Sequence, residues 1–495
     1  MNKSFGLDAP LIKFEGDLGT TVWTIRDAVE GVQIFGGIGS GKTSGSGRLF
    51  AYKYLANGFG GLVLTAKADE KQLWQKYCKD TGRLDDLIIL EPNGDHFFNF
   101  LEYESTNTPS GKPLTQNLVQ VLKTVIRASE EKSSGKKDDP FWDNALDMLI
   151  TNAIDLCFLA YNNVSIKQLF EIVQSAPQKE KKGQKEKNGF DDALAAARIK
   201  VNNQVNTLEA SLTDEEKSKM NDNDIEILII ETLPDAALLK QINLFFKETY
   251  FNLSEKTRSI VEFCFSSFLS QLIRDPVYSL FCRHKSTFTP EDSLHGKIIL
   301  LNLPVKHYYK VGRDSQILFK YIWQRTMERR NVKENNRPVF LWADEAQNFL
   351  HEYDAEYQAT ARSSCIATVY ISQNLPNYYA NMGGDKYQYR VKSFLGTLGT
   401  KVFHANADIE TNQYASDLIG EGYAIDWSQS YNTGEKISIG KSTSFKLEKM
   451  VRPDRFNGLA TGGPPNDYYV EAYIHLQGKV FKNKLSHMKT IFTQH

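Results

Sequence analysis

The sequence contains few cysteines, and their spacing suits neither a disulfide framework nor a metal site. Its 495 residues include five cysteines that lie far apart, with no Cys-x-x-Cys pair and no Cys/His cluster. This pattern indicates neither a disulfide scaffold nor a structural zinc site. The nine histidines are also scattered, which favours structural roles for them over metal binding. A reducing, cytosolic setting fits this cysteine usage.

Long apolar runs are also missing from the chain. No uninterrupted run approaches the ~20 residues of a membrane span. The nearest candidate, residues 145–161, contains two aspartates and an asparagine, and we interpret it as a buried amphipathic helix. The first six residues lack the apolar region of a signal peptide. We therefore predict a cytoplasmic protein with no transmembrane segment of its own, with peripheral contact to the inner membrane through a partner as a second option.

Neither sign of charge dominates the composition. Lysine and arginine number 59 and aspartate and glutamate 60, for a net charge of −1. This balance excludes a globally basic nucleic-acid binder but leaves room for a local basic channel. At 41% apolar residues the chain can bury large cores. Its length suggests roughly two to four domains.

The most informative stretch is a glycine-rich loop that follows a short apolar run, residues 32–35. Its pattern, Gly36-x-x-x-x-Gly41-Lys42-Thr43, is that of a P-loop, whose backbone N–H groups point at phosphate oxygens. We predict that nucleotide is bound by Gly36, Gly37, Ile38, Gly39, Ser40, Gly41, Lys42, Thr43 and Ser44. Lys42 would reach the β- and γ-phosphates of ATP, and the Thr43 hydroxyl would bind Mg²⁺. The alternative is an ordinary glycine-rich turn, but roughly 0.02 chance matches are expected in a chain of this length.

Strand and helix patterns alternate on both sides of a long helical stretch. Buried-strand patterns occupy residues 60–69, 87–92, 297–304, 338–345, 366–373 and 400–404. Such alternation predicts an α/β fold with a central, mostly parallel sheet. We predict a nucleotide-binding domain from residues 1–107 and 289–495, with a small amino-terminal β element, and an inserted all-α domain at residues 108–288. Within this scheme we expect polar linkers at residues 133–140 and 178–188, and a late hairpin that pairs residues 468–475 with 478–485.

A second motif lies about 300 residues beyond the P-loop. The apolar run at residues 339–343 ends in Asp344 and Glu345, the Walker B form. We expect Asp344 to hold Mg²⁺ through a water and Glu345 to orient or deprotonate the attacking water. Taken alone, this acid pair could instead be a helix cap after a strand, but the presence of the P-loop favours the Walker B interpretation.

Two further residues lie on either side of the next predicted strand. Gln373 ends that strand, at the sheet edge where the acid pair emerges, and its amide can contact the γ-phosphate or the attacking water. Arg362 precedes the same strand. An arginine placed at a neighbouring subunit's γ-phosphate stabilises transition-state charge, although the sequence alone favours a surface arginine.

Together these motifs resemble the conjugative coupling ATPases of type IV secretion, the TraG/TraD branch of the FtsK/HerA-like DNA motors. The stretches that carry the resemblance are residues 36–43, 343–349, 361–364, 372–374 and 395–402, with Gly462-Gly463-Pro464 near the carboxyl end. The resemblance implies a RecA-like P-loop motor, an all-helical domain inserted between the Walker motifs, and a hexameric ring. It also implies that Arg362 acts in trans and that Gln373 is the sensor.

The family resemblance leads to our functional hypothesis, an ATP-driven translocase for single- or double-stranded DNA without sequence specificity. Relaxosome or secretion-channel proteins are the further partners it implies. The alternative is a nucleotide-switched docking ATPase that recruits protein substrates in secretion, mobilisation or defence without moving DNA. Family members usually begin with transmembrane helices, whereas only 35 residues precede this P-loop. Three explanations for this short stretch are left open: a partner supplies the membrane contact, the protein is a soluble relative with another task, or the chain is truncated.

Overall fold

The chain folds into two compact units in the computed structural model, which describes residues 5–16, 19–106, 115–130, 140–177, 188–351, 353–382, 387–433, 437–482 and 484–494. The first, here called the sheet unit, comprises Met1–Ile89, Pro290–Tyr309 and Trp323–His495. The second, the helical unit, comprises Leu90–Thr289 and Lys310–Ile322. The domain boundaries drawn from the sequence, at residues 107/108 and 288/289, stay a prediction.

The described residues form thirteen strands. They are β1 Pro10–Gly16, β2 Gly19–Thr24, β3 Val32–Phe35, β4 Gly60–Leu64, β5 Leu87–Leu90, β6 Ile298–Leu301, β7 Val339–Ala343, β8 Ile366–Ser372, β9 Thr400–His404, β10 Glu421–Thr433, β11 Ile437–Lys449, β12 Tyr469–Leu476 and β13 His487–Thr493. Eleven of them make one sheet in the order β2-β1-β13-β12-β9-β3-β8-β7-β4-β6-β5. The six strands from β9 to β6 in this order pair in parallel, as the alternating pattern predicts.

Seventeen α-helices accompany these strands in the described part of the chain. They are α1 Ile25–Val29, α2 Arg48–Ala56, α3 Glu70–Asp80, α4 Phe100–Thr106, α5 Thr115–Glu130, α6 Pro140–Tyr161, α7 Ile166–Gln174, α8 Gly189–Ser211, α9 Asp214–Lys219, α10 Asp222–Thr232, α11 Pro234–Leu244, α12 Glu255–Leu272, α13 Val305–Arg329, α14 Tyr353–Ala361, α15 Leu375–Asn381, α16 Tyr387–Gly396 and α17 Ile409–Ile419. None of these described helices is both long and apolar enough to cross a membrane.

The central strands explain why the sequence shows short apolar runs. Strands β3, β4, β7, β8 and β9 are buried along their whole length. A parallel strand covered on both faces needs apolar side chains at successive positions. Buried polar residues such as Gln33, Thr368 and Lys401 interrupt these runs, but the polar loops follow the carboxyl ends of the strands, which meet at one edge of the sheet.

An aromatic cluster joins the amino-terminal β element to this sheet. The Trp23 ring, fully buried, packs edge-on against Phe50 at 5.0 Å between ring centroids and against Phe14 at 6.4 Å. Its indole N–H donates to the Thr400 hydroxyl at 3.0 Å. The indole is therefore buried with its N–H hydrogen-bonded. Because Thr400 lies on β9, which pairs with the P-loop strand β3, the cluster anchors that strand.

The helical unit confirms the all-helical character predicted for the middle of the chain. Its described residues contain helices α4 to α12 and the middle of α13, and apart from Leu90, the last residue of β5, none of them lies in a strand. Helix α7 begins at the Ser165 cap, whose hydroxyl accepts from the Gln168 N–H at 3.2 Å. Apolar positions three and four residues apart, such as Leu118, Val121 and Leu122, are buried, as helical periodicity requires.

Some local predictions were wrong or fall outside the described residues. The late hairpin pairs β12 with β13, so the partner strand is His487–Thr493 and not residues 478–485. Positive φ angles at Gly478 and Lys484 turn the intervening segment, which prevents it from continuing as a strand. The sequence pattern predicts a helix from Asp314 to about Arg330, whereas helix α13 already starts at Val305, nine residues earlier. The two predicted polar linkers, apart from the last residue of each, lie outside the described residues.

Candidate functional site

The glycine-rich loop leaves the end of β3 in a conformation that only glycine adopts easily at two points. Gly39 and Gly41 have φ angles of +72° and +77°. A Cβ added at Gly41 would lie 2.5 Å from a methyl group of Val470, so the position is both left-handed and crowded. At Gly36, an added Cβ would lie 2.4 Å from the Ser40 hydroxyl oxygen. The pattern of glycines is therefore required by the shape of the loop itself.

A helical segment begins directly after the loop. A π-helical turn spans Thr43–Gly47 and continues into α2. The N-terminus of this segment carries the positive end of the helix dipole, which favours an anion beside the loop. On its far side the Ser44 hydroxyl accepts a hydrogen bond from the Gln494 side-chain amide at 2.7 Å. The carboxyl-terminal strand thus supports the start of the helix.

The P-loop and the acid pair meet, although 301 residues separate them in the chain. The Thr43 hydroxyl donates to the Asp344 carboxylate at 2.8 Å. Lys42 is buried, with 8% of its surface exposed, and its ammonium lies 3.5 Å from the Gly37 carbonyl oxygen. Burial lowers the pKa of Lys42, and the charges of Asp344 and Glu345 act in the opposite direction. The predicted phosphate and metal groups therefore lie at one edge of the sheet.

Glu345 is held by two amides in an uncommon backbone conformation. Its φ of 49° and ψ of 48° are left-handed, a strained conformation for a residue with a side chain. Gln347 donates to one carboxylate oxygen at 2.9 Å, and Gln373 donates to the other at 3.1 Å. Burial opposes ionisation of Glu345, but these hydrogen bonds and the charges of Lys67 and Lys42 outweigh it and lower the pKa. The carboxylate is therefore kept ionised and oriented, the state a general base needs.

Arg362 lies away from this group of residues. It follows α14 and precedes β8, at the amino-terminal edge of the parallel strands, whereas the P-loop follows the carboxyl end of β3. Its guanidinium pairs with Glu30 at 3.3 Å, and 57% of the side chain is exposed. The structure thus brings Lys42, Thr43, Asp344, Glu345 and Gln373 together and leaves Arg362 at the opposite edge.

Comparison with known proteins relates this arrangement to coupling proteins. Residues 338–460, which include the acid pair, Arg362 and Gln373, match the family described as the TraM recognition site of TraD and TraG. The unbound bacterial conjugative coupling protein TrwBdeltaN70 has the same fold, with a TM-score of 0.62 and 14% identity over 96% of this chain and 87% of its own. The predicted resemblance to TraG/TraD coupling proteins is confirmed.

Two nucleotide complexes of the plasmid coupling protein TrwB share this fold. The complex with ADP and Mg²⁺ has a TM-score of 0.59 at 13% identity, over 100% of this chain and 90% of its own. The complex with a non-hydrolysable ATP analogue has a TM-score of 0.59 at 14% identity, over 100% and 91%. At these identities the similarity establishes the RecA-like P-loop fold. None of the curated proteins matches the sequence.

The site also contains Lys67 and Glu70, which the sequence motifs do not single out. The Lys67 ammonium lies 3.5 Å from the Glu345 carboxylate and 3.9 Å from that of Asp344. Glu70 is buried and accepts from the Ala66 N–H at 2.8 Å, and burial together with the Asp344 charge raises its pKa well above the usual value. Their only sequence signal is their position, just after the apolar run that forms β4.

His404 supports the P-loop from the neighbouring strand. Its Nδ1 lies 3.2 Å from the Glu471 carbonyl oxygen, which can only accept, so Nδ1 carries the proton. Nε2 is then the acceptor for the Ser46 hydroxyl at 2.7 Å. Burial, aided by the Lys42 charge, lowers the pKa of His404 to about 3. A neutral histidine therefore fixes Ser46, one turn beyond the P-loop lysine, and a single histidine in an apolar run gives no signal of this role.

Proposed function

We propose that the chain is an ATP-driven DNA translocase of the conjugative coupling type, which binds ATP with Mg²⁺ and works as a hexameric ring. The observation that carries the proposal is the hydrogen bond of 2.8 Å between Thr43 and Asp344, which closes the P-loop onto the acid pair. A P-loop joined to a strand that ends in two acids is the arrangement of ATP-hydrolysing motors. The fold shared with TrwB, whose solved complexes hold ADP with Mg²⁺ and an ATP analogue, supports the same reading.

The residues at this edge suit a magnesium–nucleotide complex. A hydroxyl oxygen of Thr43 and a carboxylate oxygen of Asp344 adjoin, and oxygen ligands are the ones that Mg²⁺ prefers. The buried Ser40 hydroxyl has no hydrogen-bond partner in the described part of the chain, so a donor is left over inside the loop. The residues from Gly36 to Ser44 would cradle the phosphates, with the Lys42 ammonium beside them. Bound Mg²⁺ would neutralise phosphate charge there.

Glu345 has the geometry to take a proton from the attacking water. Its carboxylate is ionised and fixed by two amides, one of which belongs to Gln373. We assign Glu345 as the general base and Gln373 as the sensor. Gln373 donates a hydrogen bond to the Glu345 carboxylate, so a change at the phosphate would reach Gln373 through that carboxylate. Arg362 lies too far along the sheet to serve its own P-loop, which supports a role at the nucleotide of a neighbouring copy.

The proposed partners follow from the same comparison. Movement along DNA requires contact with the phosphate backbone and not with bases, so no sequence-specific reading motif is expected. The matched family is named for recognition of TraM, which supports a relaxosome or secretion-channel protein as a further partner. We assign the motor role to residues 1–107 and 289–495, and substrate recognition to the predicted helical insert at 108–288. A cytoplasmic location with membrane contact through a partner completes the proposal.

ATP turnover with and without DNA tests this function. The full chain should hydrolyse ATP faster with single- or double-stranded DNA, and the stimulation should fall steeply as salt rises, because backbone contacts release counterions. Lys42→Ala, which lacks the phosphate-binding ammonium, is the inactive control. Slow turnover that DNA does not change would contradict the translocase and favour the nucleotide-switched docking ATPase. Native mass measurement with a non-hydrolysable ATP analogue and DNA would test the hexamer.

A further inference from the structure

A strained tyrosine follows β6, at the same edge of the sheet as the nucleotide site. Tyr309 has a φ of 49° and a ψ of −131°, a combination that glycine adopts far more readily than a residue with a side chain. Its side chain is 75% exposed, and it makes no hydrogen bond or ring contact with another described residue. Packing of the ring therefore does not offset the strain, and strained residues of this kind are concentrated at functional sites.

The turn that carries Tyr309 is fixed by its own hydrogen bonds. The backbone N–H groups of His307 and Tyr308 both donate to the Pro304 carbonyl, at 2.9 and 2.8 Å. The His307 and Tyr308 rings also meet edge-on, with 4.8 Å between their centroids and 71° between their planes. A turn held in this way presents the Tyr309 ring to solvent in a defined position, which lowers the entropy cost of binding a ligand.

The same turn contains a cation and no acidic residue. Residues 302–309 include Lys306 and His307 but no aspartate or glutamate. Lys306 is exposed, and its ammonium forms no ion pair with a described residue. Proteins that bind single-stranded nucleic acid combine cations for the phosphate backbone with aromatic rings on which bases stack. Lys306 and Tyr309 together are therefore typical of such a surface.

We propose that Tyr309 contacts single-stranded DNA, with its ring stacked on an unpaired base and the Lys306 ammonium beside a backbone phosphate. This inference rests on the proposed function, which covers both single- and double-stranded DNA and assigns no residue to the contact. Stacking on a side chain requires a base with a free face, and the bases of an intact duplex are covered on both sides by their neighbours. The projecting ring therefore favours the single strand over the duplex.

A short series of contacts links this turn to the catalytic edge. The Lys306 N–H donates to the Ala66 carbonyl at 3.1 Å, within the sheet unit. Lys67 follows Ala66, and its ammonium lies 3.5 Å from the Glu345 carboxylate. A strand of DNA held at Tyr309 would act on the segment that positions Lys67 beside the proposed general base. This placement gives single-stranded DNA a route by which to stimulate ATP turnover.

Binding of labelled oligonucleotides to the full chain tests the assignment. A fluorescent oligothymidine should bind Tyr309→Leu about 5- to 100-fold more weakly than the wild type, the value of one base stacked on an aromatic ring. Tyr309→Trp, which keeps an aromatic ring, should bind it normally, and a blunt duplex should bind all three proteins alike. Lys306→Met should weaken binding of the single strand and lower its log–log salt slope by about 0.7, the value of one phosphate contact.

Two further variants separate stacking from a structural effect. Tyr423→Leu changes a tyrosine on β10 that is 81% exposed, and it should bind the oligothymidine like the wild type. Tyr309→Gly removes the ring and the strain together, so it should raise the midpoint of urea unfolding and still bind the single strand weakly. Unchanged binding by Tyr309→Leu, an equal loss for the duplex, an equal loss in Tyr423→Leu or a lower midpoint in Tyr309→Gly would overturn the assignment. A wild-type chain that binds neither form of DNA would instead refute the proposed function.

Discussion

Removing the Lys67 ammonium should move the pH dependence of ATP turnover in a defined direction. Lys67 lies 3.5 Å from the Glu345 carboxylate. Burial opposes ionisation of Glu345, and hydrogen bonds together with the Lys67 and Lys42 charges hold its pKa below the usual value. Lys67→Met keeps the length of the side chain and deletes the charge, so the pKa of Glu345 should rise. Since the ionised carboxylate is the proposed base, activity should then be lost at a higher pH as the solution is acidified.

The size of this shift follows from the distance and the exposure. Two unit charges 3.5 Å apart interact with about 1 kcal/mol in water and about 5 kcal/mol at an effective dielectric constant of 20. The Lys67 side chain is 32% exposed and that of Glu345 is 8% exposed, so solvent screens part of the interaction. We expect the lost interaction with Lys67 to destabilise the ionised form of Glu345 by about 1.4 kcal/mol, which raises the pKa of Glu345 by about one unit. Turnover at the acid end should fall about tenfold, and turnover above neutral pH should change little.

The measurement is kcat/KM for ATP across the pH range from about 3.5 to 8, which contains the acid limb expected of a carboxylate base whose pKa lies below its usual value. Lys79→Met, on the exposed end of α3, removes a lysine outside the acid pair and serves as the matched control. Both variants should bind the ATP analogue at neutral pH. An acid limb at the same pH in Lys67→Met and the wild type would refute either the electrostatic role of Lys67 or the assignment of Glu345 as the base.

Three other substitutions test the site and its support. Glu345→Gln should bind ATP yet lose turnover about 10²- to 10⁴-fold, the contribution of a positioned base; unchanged turnover would remove Glu345 from that role. Gly41→Ala should lower ATP affinity and destabilise the chain by about 1–2 kcal/mol or more in urea titration, because alanine is strained at φ +77° and meets Val470. Trp23→Ala should cost about 3–5 kcal/mol by the same assay, as it empties a fully buried position; a loss under about 1 kcal/mol would contradict the anchoring role.

The sequence predicts the centre of the sheet and the nucleotide edge because both depend on local patterns. Buried parallel strands are largely apolar, so β3, β7 and β8 appear as short apolar runs, interrupted only at Gln33 and Thr368, with polar residues at their ends. The carboxyl ends of parallel strands meet at one edge, which is why Thr43 and Asp344 could be expected to adjoin. The polarity of the parallel strands alone determines that expectation.

Other features depend on tertiary contacts that leave no pattern in the chain. Lys67, Gln347 and His404 join the site as single polar residues, and each owes its role to the strand or turn packed beside it. The late hairpin was misplaced because its turn is long and contains two residues with positive φ, which alternation of side chains does not reveal. The early start of α13 was missed for a related reason: its first residues are polar and the helix is interrupted at Tyr309.

Strand β8 connects the proposed sensor, Gln373, to Arg362, for which we propose a role at the nucleotide of a neighbouring copy. Gln373 follows its carboxyl end and contacts Glu345, whereas Arg362 lies just before its amino end. All seven residues of the strand are buried, and it is paired in parallel with β3 on one side and β7 on the other. A strand of this length spans about 23 Å and cannot shorten without breaking its ladder. A displacement at Gln373 would therefore reach Arg362 as movement of the whole strand, so the state of one copy's nucleotide would be transmitted to the next without any local unfolding.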